Sequence, residues 1–228
     1  QLQPIMAAPL AGKDPATGTP WVFFGTGLYL DTLDLENMQV QSWYGIKDAG
    51  SVSGRSQLVE RKILDEAQIG SFIGRVIEKP VNGDMTNKKG WFIDLVSPIN
   101  GVEGERMVVP NRFQGVALIG TTRIPEAENP CKPSGKGWVM AIDPFTGARL
   151  PQTFFDATLD GEFTEADMLP SNGESAPVSG LFMDNSPNNP IFVEDVMQVG
   201  LDDGTTKTVK TSGSAVQATR MSWRELVN

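Results

Sequence analysis

The apolar residues of this chain come in runs too short for helices, and turn residues separate the runs. Trp21-Val22-Phe23-Phe24 ends in Gly25-Thr26-Gly27, and Ser42-Trp43-Tyr44-Gly45-Ile46 follows. Later runs are Trp91-Phe92-Ile93, Met107-Val108-Val109, Val116-Ala117-Leu118-Ile119, Trp138-Val139-Met140-Ala141-Ile142 and Ile191-Phe192-Val193; Arg220-Met221-Ser222-Trp223 is the last. Most are rich in β-branched or aromatic residues, the composition of half-buried strands. The 24 glycines and 16 prolines show no G-x-y period, so they mark turns and exclude collagen. This pattern specifies an all-β fold. The one helical candidate is Ser56 to Ile69, with Leu58, Ile63, Leu64 and Ile69, and it reads equally as a strand and loop.

Composition narrows the chemistry. With 228 residues and 39% hydrophobic content, the chain fits one domain or two small ones and can bury a core. The net charge of −9 and pI of about 4.6 lack a basic footprint, so phosphate backbones would be repelled and no nucleic-acid partner is expected. No apolar run approaches the roughly 18 residues a membrane-spanning helix needs. The sequence contains no histidine, which removes Ser-His-Asp and Cys-His catalysis and His-ligated metals. One cysteine, Cys131, cannot form an internal disulfide or a cysteine metal cluster. It reads as a free, partly buried thiol or as the partner of a cysteine outside this chain. Any metal must then be held by oxygen, which points to calcium or magnesium. Gln1 at the start, with no initiator Met and no signal peptide, reads as a mature or truncated product.

Trp43, Trp91 and Trp138 lie 48 and 47 residues apart, and each opens an apolar strand ending near an aspartate: Asp48, Asp94 and Asp143. Leu181-Phe182-Met183-Asp184 stands one period further on without its Trp. A four-stranded propeller blade needs about 40–50 residues, and blades must stack because none buries its faces alone. The spacing therefore predicts these tryptophans at equivalent, buried positions of successive blades. The stretch from Trp138 to Leu150 runs an apolar strand into Asp143-Pro144, then a Thr146-Gly147 turn, then Arg149-Leu150. Asp14-Pro15-Ala16-Thr17-Gly18 repeats that turn chemistry. This is the outer hairpin style of quinoprotein-like blades. The aromatics at 23, 24, 43, 44, 91 and 92 read as core rather than as a sugar platform.

The stretch Asp156 to Asp167 carries oxygen side chains at loop positions 1, 3, 5, 9 and 12, with Gly161 at 6 and the apolar Phe163 at 8. That spacing wraps oxygens around Ca²⁺ in an EF-hand loop. Asp156, Asp160 and Asp167 are the candidate carboxylate ligands, Thr158 and Thr164 the weaker donors, and Glu162 a carbonyl donor. Thr158, Thr164 and an Asp at position 12 depart from the usual ligand types. The loop holds five acids and no base, so it is expected to be mobile without a cation. Gly25-Thr26-Gly27 is not a dinucleotide loop, because Leu30 stands where the third glycine belongs. No Walker motif occurs, and no carboxylate pair stands out for hydrolysis.

In order along the chain, Val22 to Leu30, Gln41 to Ile46, Lys89 to Leu95, Gly104 to Val109, Thr121 to Pro125, Pro130-Cys131, Trp138 to Leu150 and Ser222 to Leu226 resemble the C-terminal propeller of the PilC/PilY family. The resemblance implies that residues 1–228 are the C-terminal blades of a larger, modified β-propeller, with a calcium-loop insertion near 156–167. It implies a non-enzymatic type IV pilus biogenesis and tip-associated adhesion factor of a Gram-negative bacterium, exported to the cell surface or outer membrane. Calcium would bias pili toward extension, twitching motility and attachment to host or abiotic surfaces, with minor pilins at the pilus tip as partners. The alternatives are a quinoprotein-type propeller dehydrogenase, which would need a longer chain, and a metal-free propeller scaffold for protein binding. A partial propeller would also leave blade faces open unless other chain covers them.

Overall fold

The computed structural model describes residues 2–126 and 135–213. Cys131, Pro130 and the run from Ser222 to Leu226 lie outside the described residues. The strands are β1 (Leu10–Lys13), β2 (Pro20–Gly25), β3 (Ser42–Lys47), β4 (Val59–Arg61), β5 (Ile63–Ile69), β6 (Phe72–Ile77), β7 (Gly90–Asp94), β8 (Arg112–Gln114), β9 (Ala117–Thr121), β10 (Ile124–Pro125), β11 (Gly135–Ile142), β12 (Met168–Ser171), β13 (Glu174–Pro177), β14 (Gly180–Met183), β15 (Ile191–Val193), β16 (Val196–Gly200) and β17 (Thr206–Lys210). The all-β expectation holds. Residues 56–69 take the strand-and-loop option, as a short 3₁₀ turn leading into β4 and β5. Met107-Val108-Val109 forms no strand; the adjoining Arg106 makes an isolated bridge with Arg123, and the Met107 N–H donates to the Thr26 carbonyl.

The strands form three layers. The first sheet has the order β1-β2-β3-β7-β4, and only β4 runs parallel to its neighbour. The second has the order β5-β6-β14-β11-β9-β8, with β10 on β11. The third layer is the β12-β13 hairpin and the β15-β16-β17 meander. Strand β11 shows why the middle sheet exists. Trp138, Met140 and Ile142 point into the core shared with the first sheet, while Val139 and Ala141 point into the core shared with the third layer. A strand buried on both faces carries apolar residues at every position rather than at alternate ones. Gly137-Trp138-Val139-Met140-Ala141-Ile142 reads that way.

The tryptophan spacing has a different origin from the one expected. Trp43 and Trp91 stand on β3 and β7, which are hydrogen-bonded neighbours in one sheet, with Gly45 opposite Trp91 and Trp43 opposite Ile93. Trp138 on β11 and the Leu181 to Met183 run on β14 are likewise neighbours in the second sheet. The repeat thus marks paired strands within each sheet, not one strand in each of successive sheets. After β4 the chain crosses to the second sheet for β5 and β6, then returns as β7 between β3 and β4. All three indoles are nevertheless buried, as expected. Their space comes from glycines. A Cβ at Gly45 would stand 2.4 Å from the Trp91 ring, and one at Gly120 would stand 2.6 Å from Trp43. The Trp43 Nε1 donates to Asn111 Oδ1 at 2.7 Å and the Trp91 Nε1 to the Pro144 carbonyl at 2.8 Å.

The aromatic pairs divide by face, as strand alternation requires. Phe23, Trp43 and Trp91 pack inward. Phe24, Tyr44 and Phe92 are register partners in a row across β2, β3 and β7, on the opposite face. Their rings lie 5.2 and 6.1 Å apart. Phe92 is buried as well, while Phe24 and Tyr44 are half-buried, so the expectation that all six residues form core is met at four positions and fails at Phe24 and Tyr44.

Two arginines fasten the loop between β7 and β8 to both sheets. Arg75 on β6 is wholly buried; its guanidinium binds both oxygens of Glu105 at 2.7 and 2.8 Å and reaches Glu66 at 2.7 Å. It also lies over the Trp138 ring, 3.9 Å from its centroid. Burial would push this guanidinium down, but Glu105 and Glu66 outweigh burial and hold it above its ordinary value, so it stays charged. Arg106 donates to four carbonyls, of Gly104, Leu28, Asp34 and Asn37, at 2.6–2.8 Å. Removing the cation from a buried cluster leaves its carboxylates unpaired, which costs about 3–5 kcal/mol. Arg75→Met should lose stability of that size in urea unfolding. Adding Glu66→Gln and Glu105→Gln should recover part of it. A loss below about 1 kcal/mol would contradict the role given to the cluster.

Candidate functional site

The two Asp-Pro turns form as their sequence predicts. Asp14 accepts from the Ala16 N–H at 2.9 Å and from the Thr17 hydroxyl at 2.6 Å, and the Gly18 N–H returns to the Asp14 carbonyl. Asp143 accepts from the N–H groups of Phe145 and Thr146 and from the Thr146 hydroxyl. The first turn joins β1 to β2 as a hairpin. After the second, Arg149-Leu150 does not re-enter a strand. The chain instead crosses to the third layer, where the rings of Phe154 and Phe155 are buried edge to face, 4.9 Å apart.

That crossing places the candidate calcium loop. Phe155 bridges Thr211, and the Asp156 N–H donates to the Lys210 carbonyl at 3.0 Å, so the loop starts against β17. Asp156, buried, accepts from the N–H groups of Asp160 and Gly161 at 3.1 and 2.9 Å. Leu159 and Gly161, at φ of +61° and +87°, give the backbone reversal that the glycine at position 6 anticipated. At the far end Thr164 caps the 3₁₀ turn Glu165–Asp167. Asp167, also buried, accepts from the Thr164 N–H at 3.1 Å and, with its other oxygen, from the Thr158 N–H and hydroxyl at 3.0 Å. Asp167 thus ties residue 158 to residue 164 and holds the two ends together.

The six candidate residues therefore separate into two groups. Asp156, Thr158 and Asp167 are gathered and hydrogen-bonded within the loop. Asp160, Glu162 and Thr164 lie at the surface, where Asp160 accepts from the Glu162 N–H at 2.9 Å. In kind, the donor set suits a hard cation, because every side chain offers oxygen. In position, among the described residues, no three carboxylates converge. The structure also adds a residue that the local spacing could not reveal. Lys210 Nζ donates to the Gly161 carbonyl at 2.7 Å and stands 5.8 Å from the Phe163 ring. The loop has no base of its own, yet the fold supplies one from β17. Strand pairing brings it there across 49 residues, and no local motif encodes such a contact.

This arrangement separates residues that organise the loop from residues that only decorate it. An unsatisfied buried donor costs about 1–3 kcal/mol. In chelator-treated buffer, Asp156→Ala and Asp167→Ala should each lower unfolding stability by about 2 kcal/mol. Asp160→Ala should stay within about 0.5 kcal/mol of the parent. Equal effects at all three positions would contradict the organisation described.

No family model matches this chain. It is 46% identical over 227 residues to a protein of Xylella fastidiosa (strain Temecula1) named type IV pilus biogenesis factor PilY1 homolog, covering 99% of this chain and 18% of that protein. It is 27% identical over 199 residues to the type IV pilus biogenesis factor PilY1 of Pseudomonas aeruginosa, covering 78% of this chain and 17% of that protein. The crystal structure of the Pseudomonas aeruginosa PilY1 C-terminal domain superposes with a TM-score of 0.73 at 22% identity, over 93% of this chain and 46% of that domain. The chain thus spans under a fifth of these curated relatives, and it shares the fold of the solved domain. By sequence, the chain belongs to the PilY1 family of type IV pilus factors, of which it represents one segment.

Proposed function

We propose that this chain is the C-terminal propeller segment of a type IV pilus biogenesis and tip-associated adhesion factor, exported to the cell surface and acting without catalysis. The observation that carries the reading is the 46% identity across 99% of the chain to a protein named for pilus biogenesis. Stacked antiparallel sheets and the shared fold with the PilY1 C-terminal domain support a modified propeller. An acidic surface suits contact with minor pilins or a host or abiotic surface and disfavours anionic lipid and nucleic acid. Deleting the gene in its source bacterium should reduce surface pili and twitching, and a plasmid copy should restore both. Normal pili and twitching in the deletion strain would overturn the reading.

Within it, the 156–167 loop is the calcium-responsive element. Asp156, Asp160 and Asp167 would supply carboxylate oxygens, Thr158 and Thr164 weaker oxygens, and Glu162 its carbonyl. Calcium supplies the charge that lets these acids approach one another. The exposed half of the loop, Asp160 to Thr164, folds inward toward the buried half. With two neutral threonines among the donors, the affinity should fall in the extracellular range, with Kd about 10⁻⁵ to 10⁻³ M. A metal-free scaffold is the second reading, favoured by the Lys210 contact on the Gly161 carbonyl and by carboxylates already engaged with N–H groups. Melting temperature against calcium separates the two. Saturating calcium at about 100 Kd should add roughly 2.7 kcal/mol to the parent, less to Asp160→Ala, and should take effect at lower concentrations in Lys210→Met. A flat response in all three selects the metal-free scaffold.

A further inference from the structure

An asparagine or aspartate followed by glycine is among the most reactive steps in a peptide chain. Glycine has no side chain to hinder attack of its backbone nitrogen on the preceding side-chain carbonyl carbon. The sequence holds five such steps: Asn82-Gly83, Asn100-Gly101, Asp160-Gly161, Asn172-Gly173 and Asp203-Gly204. The fold treats them differently. In three, the glycine N–H is already donated: Gly101 to the Ser97 carbonyl at 2.9 Å, Gly161 to Asp156 Oδ2 at 2.9 Å and Gly204 to the Leu201 carbonyl at 3.0 Å. In a fourth, Asn172 and Gly173, at φ of +50° and +79°, are the two-residue loop of the β12-β13 hairpin. Two positive angles mark a type I′ turn, held by the strands on either side. Rotation of Asn172 toward its glycine therefore requires the hairpin to open.

Asn82-Gly83 lacks these restraints. Both residues are exposed on the wall of a surface groove, and among the described residues neither the Asn82 carboxamide nor the Gly83 N–H has a hydrogen-bond partner. They are the central pair of a turn that Asp84 closes, its N–H on the Val81 carbonyl at 3.1 Å. Gly83, at φ of +83°, is the left-handed residue that a type II turn needs. Asp84 Oδ2 accepts from the Val81 N–H at 3.0 Å and pairs with Arg61 Nη1 at 2.6 Å. Arg61 is buried; its Nε donates to the Thr146 carbonyl at 2.9 Å, and its Nη2 has no partner. Among the described residues Asp84 is its only ion-pair partner.

We propose that Asn82 is a site of spontaneous deamidation, and that its isoaspartyl product unfastens Asp84 from Arg61. The co-reactant is water. The Gly83 nitrogen bonds to Asn82 Cγ, the bond from Cγ to the side-chain nitrogen breaks, and ammonia leaves with the proton that Gly83 gives up. Water then opens the five-membered imide at either carbonyl, yielding aspartate or isoaspartate with no change of oxidation state. Isoaspartate routes the main chain through the side-chain carbons and lengthens it by one methylene between Val81 and Asp84. The turn closes over only two residues, so the added carbon draws Asp84 off the Val81 carbonyl and its carboxylate off Arg61. A buried guanidinium then loses its counter-charge, which is the costly state of a broken ion pair. The inference is independent of the calcium and pilus readings.

The test is peptide mapping by mass spectrometry of the full-length polypeptide aged at mildly alkaline pH, with the same protein aged in urea as the reference. In urea Asn82, Asn100 and Asn172 should lose their amides at rates within about threefold of one another, since all three then lie in unfolded chain. In the folded protein Asn82 should keep its urea rate within about threefold, while Asn100 and Asn172 should slow at least about tenfold, because their reaction awaits local opening. Isoaspartate at position 82 is identified by methylation with an isoaspartyl methyltransferase. In the aged protein, peptides covering Arg61 and Thr146 should exchange amide hydrogen about tenfold faster than in fresh protein. Asn82→Gln, which cannot form the five-membered imide, should age without that change. Protection of Asn82 equal to that of Asn100 would overturn the site. Isoaspartate at position 82 with unchanged exchange around Arg61 would overturn the unfastening.

Discussion

The buried cluster of Arg75, Glu66 and Glu105 fixes the loop between β7 and β8 to the second sheet, and that loop runs on to the first. Two packed sheets can slide if only apolar side chains meet between them, because dispersion is non-directional. The bidentate Arg75–Glu105 pair is directional and fixes the loop carrying Glu105 against β6. From that anchor the next residues extend to both sides. The Arg106 N–H donates to the Arg123 carbonyl beside the second sheet, and the Met107 N–H donates to Thr26 at the end of β2 in the first. Arg106 gathers the 28–37 loop through its four carbonyl contacts. The segment is a knot of charge and backbone hydrogen bonds inside an otherwise apolar interface. Such clusters specify geometry more than they add stability.

Much of the fold was legible because strand chemistry is local. The runs at 21–24, 42–46, 91–93, 138–142 and 191–193 all became strands, and both Asp-Pro turns closed as their residues require. The failures have one physical cause, which is that sequence spacing carries no information on which strand pairs with which. The Trp43–Trp91 interval looked like a repeat between sheets and is a pairing within one. The 107–109 run is buried at Met107 like a strand, but its backbone is taken by the loop knot and forms no ladder. The face of each aromatic was likewise hidden. Phe23 and Phe24 are indistinguishable by type, and only the register of β2 sends one to the core and the other outward.

The 156–167 loop shows the same division. Its reversal at Gly161 and its capped end at Thr164 follow from residue chemistry readable in one dimension. Its electrostatics do not, because Lys210 arrives from β17. A loop read as five acids with no base has, in the folded chain, an ammonium on its Gly161 carbonyl. Any divalent ion would have to compete with that ammonium as well as with the N–H groups that occupy Asp156 and Asp167. Membership of the PilY1 family makes the loop part of a type IV pilus factor, and the fold holds its backbone at both ends through Asp156 and Asp167.

The central claim is that the Glu105–Met107 segment, though it belongs to a loop, is part of the structural core. Native-state hydrogen exchange tests it most directly. The amides of Arg106 and Met107 should exchange only through global opening, with the same free energy as the amides of β6 and β11. Exchange of those two amides at the rate of surface turns, while β6 and β11 remain protected, would contradict the account.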